Sequence, residues 1–547
     1  MGPPLRLLGP TSPPRPNRNQ DPSSTSGDSR RLKTIGDKRI RDLPHFPDLR
    51  TFMGFLDRRK QLISVAEPVS TVHEMTEVHR RVLKRAGPAL VFEQAIGPDG
   101  AAGQMPVLVN LFGTVERVAW GLGVERQRLR ALGELLASLR EPAPVNGLRD
   151  ALERWPFVKA AFATIPTTVA NAPVQQEVSV GADVDLLRLP IQTCWPGDAG
   201  PLITWPLVIT RPPHRDDTLD YNMGVYRMQV LGRDRAIVRW LAHRGGAAHH
   251  RHWAALGKDM PVAVVIGADP ATMLAAVLPL PEHLSELRFA GVLRGERPRL
   301  ARCATIPLSV PADAEIVIEG YVGPEERALE GPFADHTGYY NSVEPFPILR
   351  VTAITSRATP IYLSTFTGRP PDEPSIIGEA LNELFVPILR RQLPEVVDCW
   401  FPPDACSYRM AVVSIRKRYA GQARRIMMGL WGMLVQFSYT KFIIVVDDDI
   451  DVRDWRDVSW ALATRMDPAR DLLVSDRTPI DYLDFASPVA GLGGKLGIDA
   501  TNKVDSETCR EWGRVVTMDQ DVGRRIDALW ERLAATMGSS PNLGDTP

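Results

Sequence analysis

Residues 222–227 read NMGVYR, and they bring an amide, a glycine, an aromatic ring and a guanidinium together within six positions. The segment stands at the start of a predicted β-strand, where alternation directs Tyr226 and Arg227 to opposite faces. Gly224 allows the backbone to approach a ligand closely. The stretch therefore predicts a site for one bound anion, while an ion-pair network on an edge strand stays open as a second interpretation.

A second stretch, residues 239–246, reads RWLAHRGG and adds two arginines, an indole and a glycine pair. Guanidinium groups bind phosphate oxygens in a bidentate manner, so this composition favours a phosphate-bearing ligand. Surface ion pairs would use the same residue types, and the residues alone leave both interpretations open.

Two carboxylates define a third stretch, residues 330–341, which reads EGPFADHTGYYN. Glu330 and Asp335 are five residues apart, and the Gly-Pro turn between them can fold both toward one point. Such a pair suits a site in which one acid passes protons while the other stays charged. We expect burial beside Phe333 to raise one of the two pKa values. Two solvated turn carboxylates are the alternative.

Glu286 follows Ser285 ahead of an apolar segment and on its own is typical of a helix surface. Taken with Asn222, it would supply hard oxygen ligands, which favour Mn²⁺ or Mg²⁺ over zinc.

The composition limits the classes of partner. The 547 residues include 65 basic and 65 acidic side chains, so no bulk charge favours nucleic acid or an anionic membrane. The five cysteines are widely spaced and form no CxxC pair, which fits a reducing cytoplasm rather than a disulfide framework. No apolar run reaches the ~18 residues of a membrane-spanning helix. A small-molecule partner is the expectation.

The pattern along the chain predicts a multidomain protein of the α+β or α/β class. Helical periodicity in residues 49–56 and 125–140 and a buried strand within 106–112 indicate an N-terminal α/β region. Short alternating segments then predict a β-rich middle, including a hairpin about residues 232–234. The predicted units are a disordered extension (1–42), an N-terminal α/β domain (43–165), the β-rich domain (166–352), a C-terminal α/β domain (353–535) and a disordered tail (536–547).

Two elements characterise the third region. A helix from about Pro374 puts Ile377, Leu381 and Leu384 on one face, and Pro387 should end or kink it. Residues 442–446 are wholly apolar, as in the strands of a buried parallel sheet.

Several common enzyme signatures are absent from the sequence. The run GLGGK at 491–495 has Val489 where a phosphate loop needs glycine, so a flexible turn is predicted. There is no GxSxG elbow or HExxH motif. The histidines at 249, 250 and 252 lack ligand spacing and indicate a solvated helix edge. The acidic run 447–449 is better explained by helix capping or solvent than by a site.

Taken together, the motifs resemble those of the UbiD family, in order and with compatible spacing from about Phe46 to Leu533. More narrowly, they are similar to the ubiquinone-pathway branch, the 4-hydroxy-3-polyprenylbenzoate decarboxylases. The stretches that carry the resemblance are NMGVYR (222–227), RWLAHRGG (239–246), SELRFAGVLRG (285–295), EGPFADHTGYYN (330–341), TGRPPDEPS (367–375), TRMDPARD (464–471) and TPIDYLDFASP (478–488).

This resemblance implies a middle domain like the split β-barrel of flavin reductases, holding prenylated FMN through its phosphate. It implies a Mn²⁺ ion bound by Asn222 and Glu286, with K⁺ as a further candidate ion. The implied catalytic residues are Arg227, Glu330 and Asp335. The implied flavin contacts are Val225, Tyr226, Arg227, Arg239, Trp240, Leu241, Arg244 and Gly245.

One position departs from the family pattern. Other branches have a histidine metal ligand where Gly245 stands here, and His243 lies two positions away. The third protein ligand is therefore left open.

The implied reaction removes CO₂ from 4-hydroxy-3-polyprenylbenzoate to give 2-polyprenylphenol. Aromatic decarboxylation needs an electron sink that no side chain offers, and a modified flavin supplies one. The hypothesis is that Arg227 orients the substrate carboxylate, Asp335 protonates the ring carbon and Glu330 tunes or relays the proton. The alternatives are another aromatic or α,β-unsaturated acid, and a non-catalytic flavin-binding or assembly protein.

The implied partners are a flavin prenyltransferase that supplies the cofactor and further copies of the chain, as a homohexamer built through the C-terminal domain. The implied location is the cytoplasm, with peripheral contact to the inner membrane because the substrate carries a polyprenyl tail.

Overall fold

The computed structural model describes residues 41–140, 163–214, 218–242, 244–278, 280, 285–433 and 435–537. The predicted extension and tail lie almost entirely outside these ranges. Among the described residues no helix has the length and apolar character needed to cross a bilayer.

The N-terminal region is an α/β unit, as predicted. Its first helix is capped by Asp48, whose side chain accepts a hydrogen bond from Thr51 N, and it buries Leu49 and Phe52 completely. The helices are α1 (Leu49–Arg58), α2 (Glu74–Leu83), α3 (Val115–Gly121) and α4 (Leu129–Arg140), and the strands are β1 (Leu62–Val65), β2 (Val69–Ser70), β3 (Ala89–Phe92), β4 (Ala95–Ile96) and β5 (Val107–Val109).

The middle region is dominated by strands. Its elements are β6 (Thr167–Thr168), β7 (Glu177–Val180), β8 (Leu202–Ile203), β9 (Leu207–Thr210), β10 (Asn222–Val225), β11 (Met228–Val230), β12 (Arg235–Val238), α5 (Gly245–Ala255), β13 (Met260–Ile266), α6 (Pro270–Ala275), α7 (Glu286–Arg294), β14 (Arg299–Arg302), β15 (Ser309–Pro311), β16 (Ile316–Glu330) and β17 (Glu344–Ser356). Nine strands form one antiparallel sheet in the order β10-β9-β13-β16-β17-β12-β11-β8, with β7 also paired to β17.

The connection between β10 and β11 requires this sheet to curl. In the sheet order six inter-strand spacings separate the two strands, which would be about 29 Å in a flat sheet. Only Tyr226 and Arg227 join them, and the chain from Val225 to Met228 spans at most about 11 Å. The sheet is therefore a half-barrel, and residues 226–227 cross its seam.

The third region carries a mixed five-stranded sheet in the order β19-β20-β21-β23-β22. Its elements are β18 (Tyr362–Leu363), α8 (Glu373–Gln392), β19 (Val396–Trp400), β20 (Met410–Ile415), α9 (Gln422–Met433), β21 (Phe442–Asp447), α10 (Trp455–Arg465), β22 (Leu472–Pro479), β23 (Leu492–Ala500) and α11 (Gln520–Met537). Strand β21 pairs in parallel with both neighbours, which confirms the prediction for residues 442–446.

Helix α8 continues through Pro387 to Gln392. The alternative that Pro387 ends the helix is therefore wrong, although Ile377, Leu381 and Leu384 are buried as the periodicity predicted.

The chain returns to the first sheet after the barrel, since β18 pairs in parallel with β5. Strand β17 also runs to Ser356, past the predicted boundary at 352, and the domain bounds remain predictions.

One local prediction in this region is wrong, and another holds only in part. Residues 492–495 belong to β23, where buried Lys495 donates to the Thr440 and Pro479 carbonyls. In the acidic run Asp448 and Asp449 are exposed as expected, whereas Asp447 is a buried ion-pair partner of Arg465 at 2.8 Å.

Candidate active site

The two arginine-containing motifs meet at the seam of the half-barrel. Arg239 directly follows β12, and its backbone N–H donates to the carbonyl of Arg227 at 3.2 Å. In each of these motifs an arginine and its aromatic neighbour point to different sides of the seam. Arg227 and Arg239 contact the acids, while the rings of Tyr226 and Trp240 meet edge to face at 6.5 Å. The site therefore has an acid end and an aromatic end on two sides of the seam.

Residues 222–227 differ from the prediction in one respect. The strand that begins at Asn222, β10, ends at Val225, and Tyr226 and Arg227 form the link to β11. The two side chains nevertheless diverge as alternation predicted.

Glu330 is the centre of the acid end. It is the last residue of β16 and has no exposed side-chain surface. Arg227 binds it in a bidentate manner, with Nε–Oε1 at 2.9 Å and Nη2–Oε2 at 3.2 Å, and Arg239 Nη1 donates to Oε2. Two cations therefore hold this buried carboxylate in one orientation.

Asp335 lies on the loop between β16 and β17, facing the same guanidinium. Arg227 Nη1 donates to Asp335 Oδ2 at 3.1 Å, and His336 donates to Oδ1 from its backbone N–H at 2.7 Å. The structure thus brings together Arg227, Glu330 and Asp335.

We expected burial to raise the pKa of one of the two acids, but the pKa of Asp335 is lowered. Burial would raise the pKa of Asp335, but the hydrogen bond and charge of His336, together with Arg227, outweigh burial and hold it well below its usual range. The same pairing has the opposite effect on His336. Burial would lower its pKa, yet the hydrogen bonds to Asp335 and Asp481 raise it to about 10.

Sequence reasoning missed three members of this end. Asn341 accepts from Arg227 Nη2 at 2.7 Å and from Phe333 N at 2.9 Å. His336 and Asn341 both stand in the stretch 330–341, so their position beside the acids was a usable signal. Asp481 was not predictable in this way, because it lies far along the chain and reaches His336 only through the fold.

Asn222 and Glu286 both lie near Tyr226 at the aromatic end. Glu286, the first residue of α7, accepts a hydrogen bond from Met223 N at 3.0 Å, and Asn222 Nδ2 donates to Tyr226 Oη at 3.3 Å. Burial raises the pKa of Glu286 to about 7, and within the described ranges this carboxylate has no ion-pair partner. An unpaired carboxylate beside an amide oxygen fits a hard divalent cation.

Gly245 lies directly against Asn222. A Cβ atom at position 245 would come within 2.0 Å of Asn222 Oδ1, so no side chain fits there unless Asn222 moves. His243 lies outside the described residues. Within the described part of the chain no group of three or more His, Cys, Asp or Glu side chains could hold a metal, so a third ligand stays unassigned.

The start of α5 provides a cradle for a phosphate. Arg244 is the N-cap residue and makes no side-chain cap hydrogen bond, and the helix then opens with Gly245 and Gly246. The first backbone N–H groups of a helix have no partner within it and attract anions. The turn before the helix is closed by Arg244 N donating to the Leu241 carbonyl at 2.9 Å.

Two buried donors beside the seam lack acceptors among the described residues. They are Trp240 Nε1, which lies against Gly246 at the cradle, and Arg239 Nη2 on the side of the acids. Val225 and Leu241 are half-buried. Unpaired donors and apolar surface beside an anion cradle fit a flavin phosphate with its acceptor-rich ring.

The prediction of a solvated histidine edge on α5 is wrong for two of the three residues. His250 is buried and its Nε2 lies 2.9 Å from the Gly323 carbonyl, while His249 Nδ1 lies 2.9 Å from Thr210 Oγ1. These two histidines fix α5 to the barrel, whereas His252 is exposed as expected.

Three family models match the chain in succession. They describe the N-terminal, Rift-related and C-terminal domains of 3-octaprenyl-4-hydroxybenzoate carboxy-lyase (UbiD), and they match residues 53–136, 167–370 and 375–500. The candidate site residues named from the sequence all fall within the Rift-related match, and Asp481 falls within the C-terminal match.

Solved structures agree along most of the chain. Vanillic acid decarboxylase of Sedimentibacter hydroxybenzoicus, in its closed form, is 26% identical with a TM-score of 0.75, covering 90% of this chain and 99% of that chain. The UbiD-class enzyme HmfF of Pelotomaculum thermopropionicum in complex with FMN is 28% identical with a TM-score of 0.70, covering 87% and 98%. An evolved dimeric form of HmfF in complex with prenylated FMN is 29% identical with a TM-score of 0.68, covering 84% and 96%.

Proposed function

The chain belongs to the UbiD family of carboxy-lyases, and on that premise we propose that it is a prenylated-FMN-dependent, non-oxidative decarboxylase of 4-hydroxy-3-polyprenylbenzoate. The product would be 2-polyprenylphenol, an intermediate of ubiquinone biosynthesis. The observation that carries the proposal is the buried cluster of Arg227, Glu330 and Asp335 across the seam from an anion cradle.

The cofactor would lie at the aromatic end. The N-terminus of α5 and Arg244 would hold its phosphate, and Trp240 Nε1 and Arg239 Nη2 would donate to its ring. Prenylated flavin supplies, when bound, the electron sink that loss of CO₂ from an aromatic ring needs. The HmfF complexes with FMN and prenylated FMN support this choice.

The metal would be Mn²⁺ held by Asn222 and Glu286, beside the cofactor phosphate, with K⁺ as a second candidate ion. Support comes from the unpaired Glu286 carboxylate and its hard oxygen neighbour.

The acid end would handle the carboxylate and the proton. Arg227 is bound to Glu330 and Asp335, so a substrate carboxylate must compete with them for its donors. Engaging Arg227 would loosen its contact with Asp335 and favour protonation of that acid, because a neighbouring cation stabilises the charged form. Asp335 would then protonate the ring carbon that loses CO₂, and Glu330 would keep the two arginines in place.

A second candidate is the same reaction on another aromatic or α,β-unsaturated acid. It is favoured by the similarity to a vanillic acid decarboxylase over 90% of the chain. A non-catalytic flavin-binding or assembly protein is disfavoured, because such a protein has no need of a buried Arg-Glu-Asp cluster.

The substrate is tested with a panel of 4-hydroxybenzoates that differ only in the 3-substituent: hydrogen, methoxy, hydroxy and prenyl chains of increasing length. We expect kcat/KM for CO₂ release by the cofactor-loaded enzyme to rise with the prenyl chain. A clear preference for the unprenylated acids would assign the chain to the second candidate.

We also propose a supplier of the cofactor, an oligomeric state and a cellular location. A flavin prenyltransferase would supply the cofactor, and the enzyme would act as a homo-oligomer, a hexamer, in the cytoplasm. Its substrate carries an apolar tail, so peripheral contact with the inner membrane is part of the proposal.

A further inference from the structure

His336 lies between two carboxylates that come from different parts of the chain. Its Nδ1 is 2.5 Å from Asp335 Oδ1, and its Nε2 is 3.6 Å from Asp481 Oδ2. Asp335 belongs to the loop after β16, whereas Asp481 follows β22 of the C-terminal sheet. The imidazole therefore connects the acid end of the site to the C-terminal region.

Asp481 is itself fixed in place. Arg409 Nη2 donates to its Oδ2 at 3.1 Å, and Leu483 N donates to its Oδ1 at 3.0 Å. A neighbouring contact reinforces this junction, since the rings of Tyr339 and Phe485 meet edge to face at 6.0 Å.

His336 also separates Asp335 from solvent. About a quarter of the His336 side chain (26%) is exposed, against 14% for Asp335 and none for Glu330. Glu330 is enclosed by two arginines and Asn341, so it offers no route for a proton from water. The imidazole is the titratable group that touches both the acid and the outside.

Decarboxylation consumes a proton in every turnover. The carbon–carbon bond to the carboxylate breaks, CO₂ leaves, and a carbon–hydrogen bond forms in its place. An acid that supplies that proton becomes a carboxylate and must be protonated again before the next cycle.

We propose, on the basis of the function proposed above, that His336 returns this proton to Asp335 and that Asp481 holds the imidazole in position. The Nδ1 proton of His336 passes to the Asp335 carboxylate, and the neutral imidazole takes a proton from water. His336 is thus a positioning and proton-supplying residue that acts through Asp335.

The charges around His336 favour its cationic form. Asp335 and Asp481 contact it directly and the buried Asp372 adds a third negative charge nearby, while Arg409 and Arg227 oppose it. Because the pKa of His336 is raised to about 10, the imidazole is charged at neutral pH and is lost as a proton source only as the pH rises through about 10. Removing Asp481 should lower that pKa and move the alkaline limb of kcat to lower pH.

The kinetic test compares His336→Asn and Asp481→Asn with His252→Asn, a control at an exposed position on α5. We expect His336→Asn to lower kcat at least about 100-fold with KM within about two-fold of wild type. We expect Asp481→Asn to keep partial activity with the alkaline limb shifted down. Free imidazole should restore turnover to His336→Gly. A His336→Asn enzyme within about two-fold of the wild-type kcat would overturn the proposal.

A second measurement needs neither cofactor nor turnover, and it remains decisive if a variant fails to fold. Deuterium exchange at the imidazole Cε1 position, followed by mass spectrometry over a pH series, reports the titration of each histidine. In the wild-type protein His336 should titrate near pH 10; titration of His336 below pH 7 would contradict the proposal. Wild-type enzyme that releases no CO₂ would instead count against the proposed function.

Discussion

Glu330 lies between the guanidinium groups of Arg227 and Arg239, without exposed surface. A carboxylate in this position neutralises two buried cations and fixes the geometry of both. Only the family resemblance placed Arg227 with these acids. The residue motifs alone could predict that Glu330 and Asp335 belong to one site, because the Gly-Pro turn keeps the two acids close. They could not predict the charge state of Asp335, which depends on the contact between His336 and the distant Asp481.

Replacing Glu330 with Gln should cost stability as well as activity. The amide removes the charge that both guanidinium groups share and leaves Arg227 with Asp335 and Arg239 with the more distant Glu344, and breaking a buried ion pair from one side typically costs about 3 kcal/mol or more. Urea denaturation of the purified variant measures the loss. Glu344→Gln is the matched control, since Glu344 is 40% exposed and lies 3.7 Å from Arg239; equal stability of the two variants would contradict this role.

Gly245 permits the close approach of Asn222 that the metal end requires. In Gly245→Ala the new Cβ would lie 2.0 Å from Asn222 Oδ1, so we expect Asn222 to move and Mn²⁺ retention to fall at least about 10-fold. Metal analysis after gel filtration measures the retention. Gly232→Ala is the control, because a Cβ there meets nothing within 4 Å. Unchanged metal content in Gly245→Ala would remove Asn222 from the metal site.

At the level of elements, periodicity correctly predicted the helices and strands that form by burying one apolar face or run. Helix α1, strand β21 and the hairpin of β11 and β12 all form where one apolar face or run meets a turn signal. Residues 226–227 link two strands instead of lying within one, and residues 492–495 belong to a strand instead of a turn, because sheet pairing rather than local pattern decides where these strands begin and end. The burial of His249 and His250 likewise comes from the packing of α5 against the barrel.

Helices α4 and α8 approach closely at one glycine. A Cβ at Gly133 would come within 2.8 Å of Leu384 Cα and 2.7 Å of its carbonyl oxygen. Gly133→Ala should therefore overpack the contact, cost about 1–3 kcal/mol and lower Tm. Gly378→Ala within α8 meets no atom within 4 Å and should keep or raise Tm, since alanine is the better helix former. Thermal unfolding of both variants makes the comparison, and a matching rise in Tm for Gly133→Ala would argue against a close helix contact.

At the scale of the whole molecule, a strand pairing and an ion cluster join regions that were predicted as separate domains. Strand β18 adds to the N-terminal sheet, and a four-membered ion cluster connects α4 to the C-terminal region: Arg130 and Arg453 each bind both Glu383 and Asp398. The pairs made by Arg130 and the pairing of β18 with β5 join residues more than two hundred positions apart and have no local sequence signal.

Helix α11 presents an exposed apolar stripe, and in the proposed homo-oligomer we expect a second copy of the chain to cover it. Ile526, Leu529, Trp530 and Leu533 recur at helical spacing, and each is at least 41% exposed. We expect Ile526→Asp/Leu533→Asp to reduce the oligomer to smaller species by light scattering, with Glu531→Gln as the control. An oligomer unaffected by the double replacement would place the interface elsewhere.

The most direct test of the account is CO₂ release from 4-hydroxy-3-prenylbenzoate in deuterated buffer by enzyme whose prenylated flavin is verified spectroscopically. Wild-type enzyme should release one CO₂ and place one deuterium on the vacated ring carbon for each turnover. Asp335→Asn should keep the cofactor and lose at least about 100-fold in kcat, because its amide cannot supply the proton, whereas Asp183→Asn on an exposed turn should behave as wild type. Near-normal turnover by Asp335→Asn, or no CO₂ from the loaded wild-type enzyme, would contradict the account.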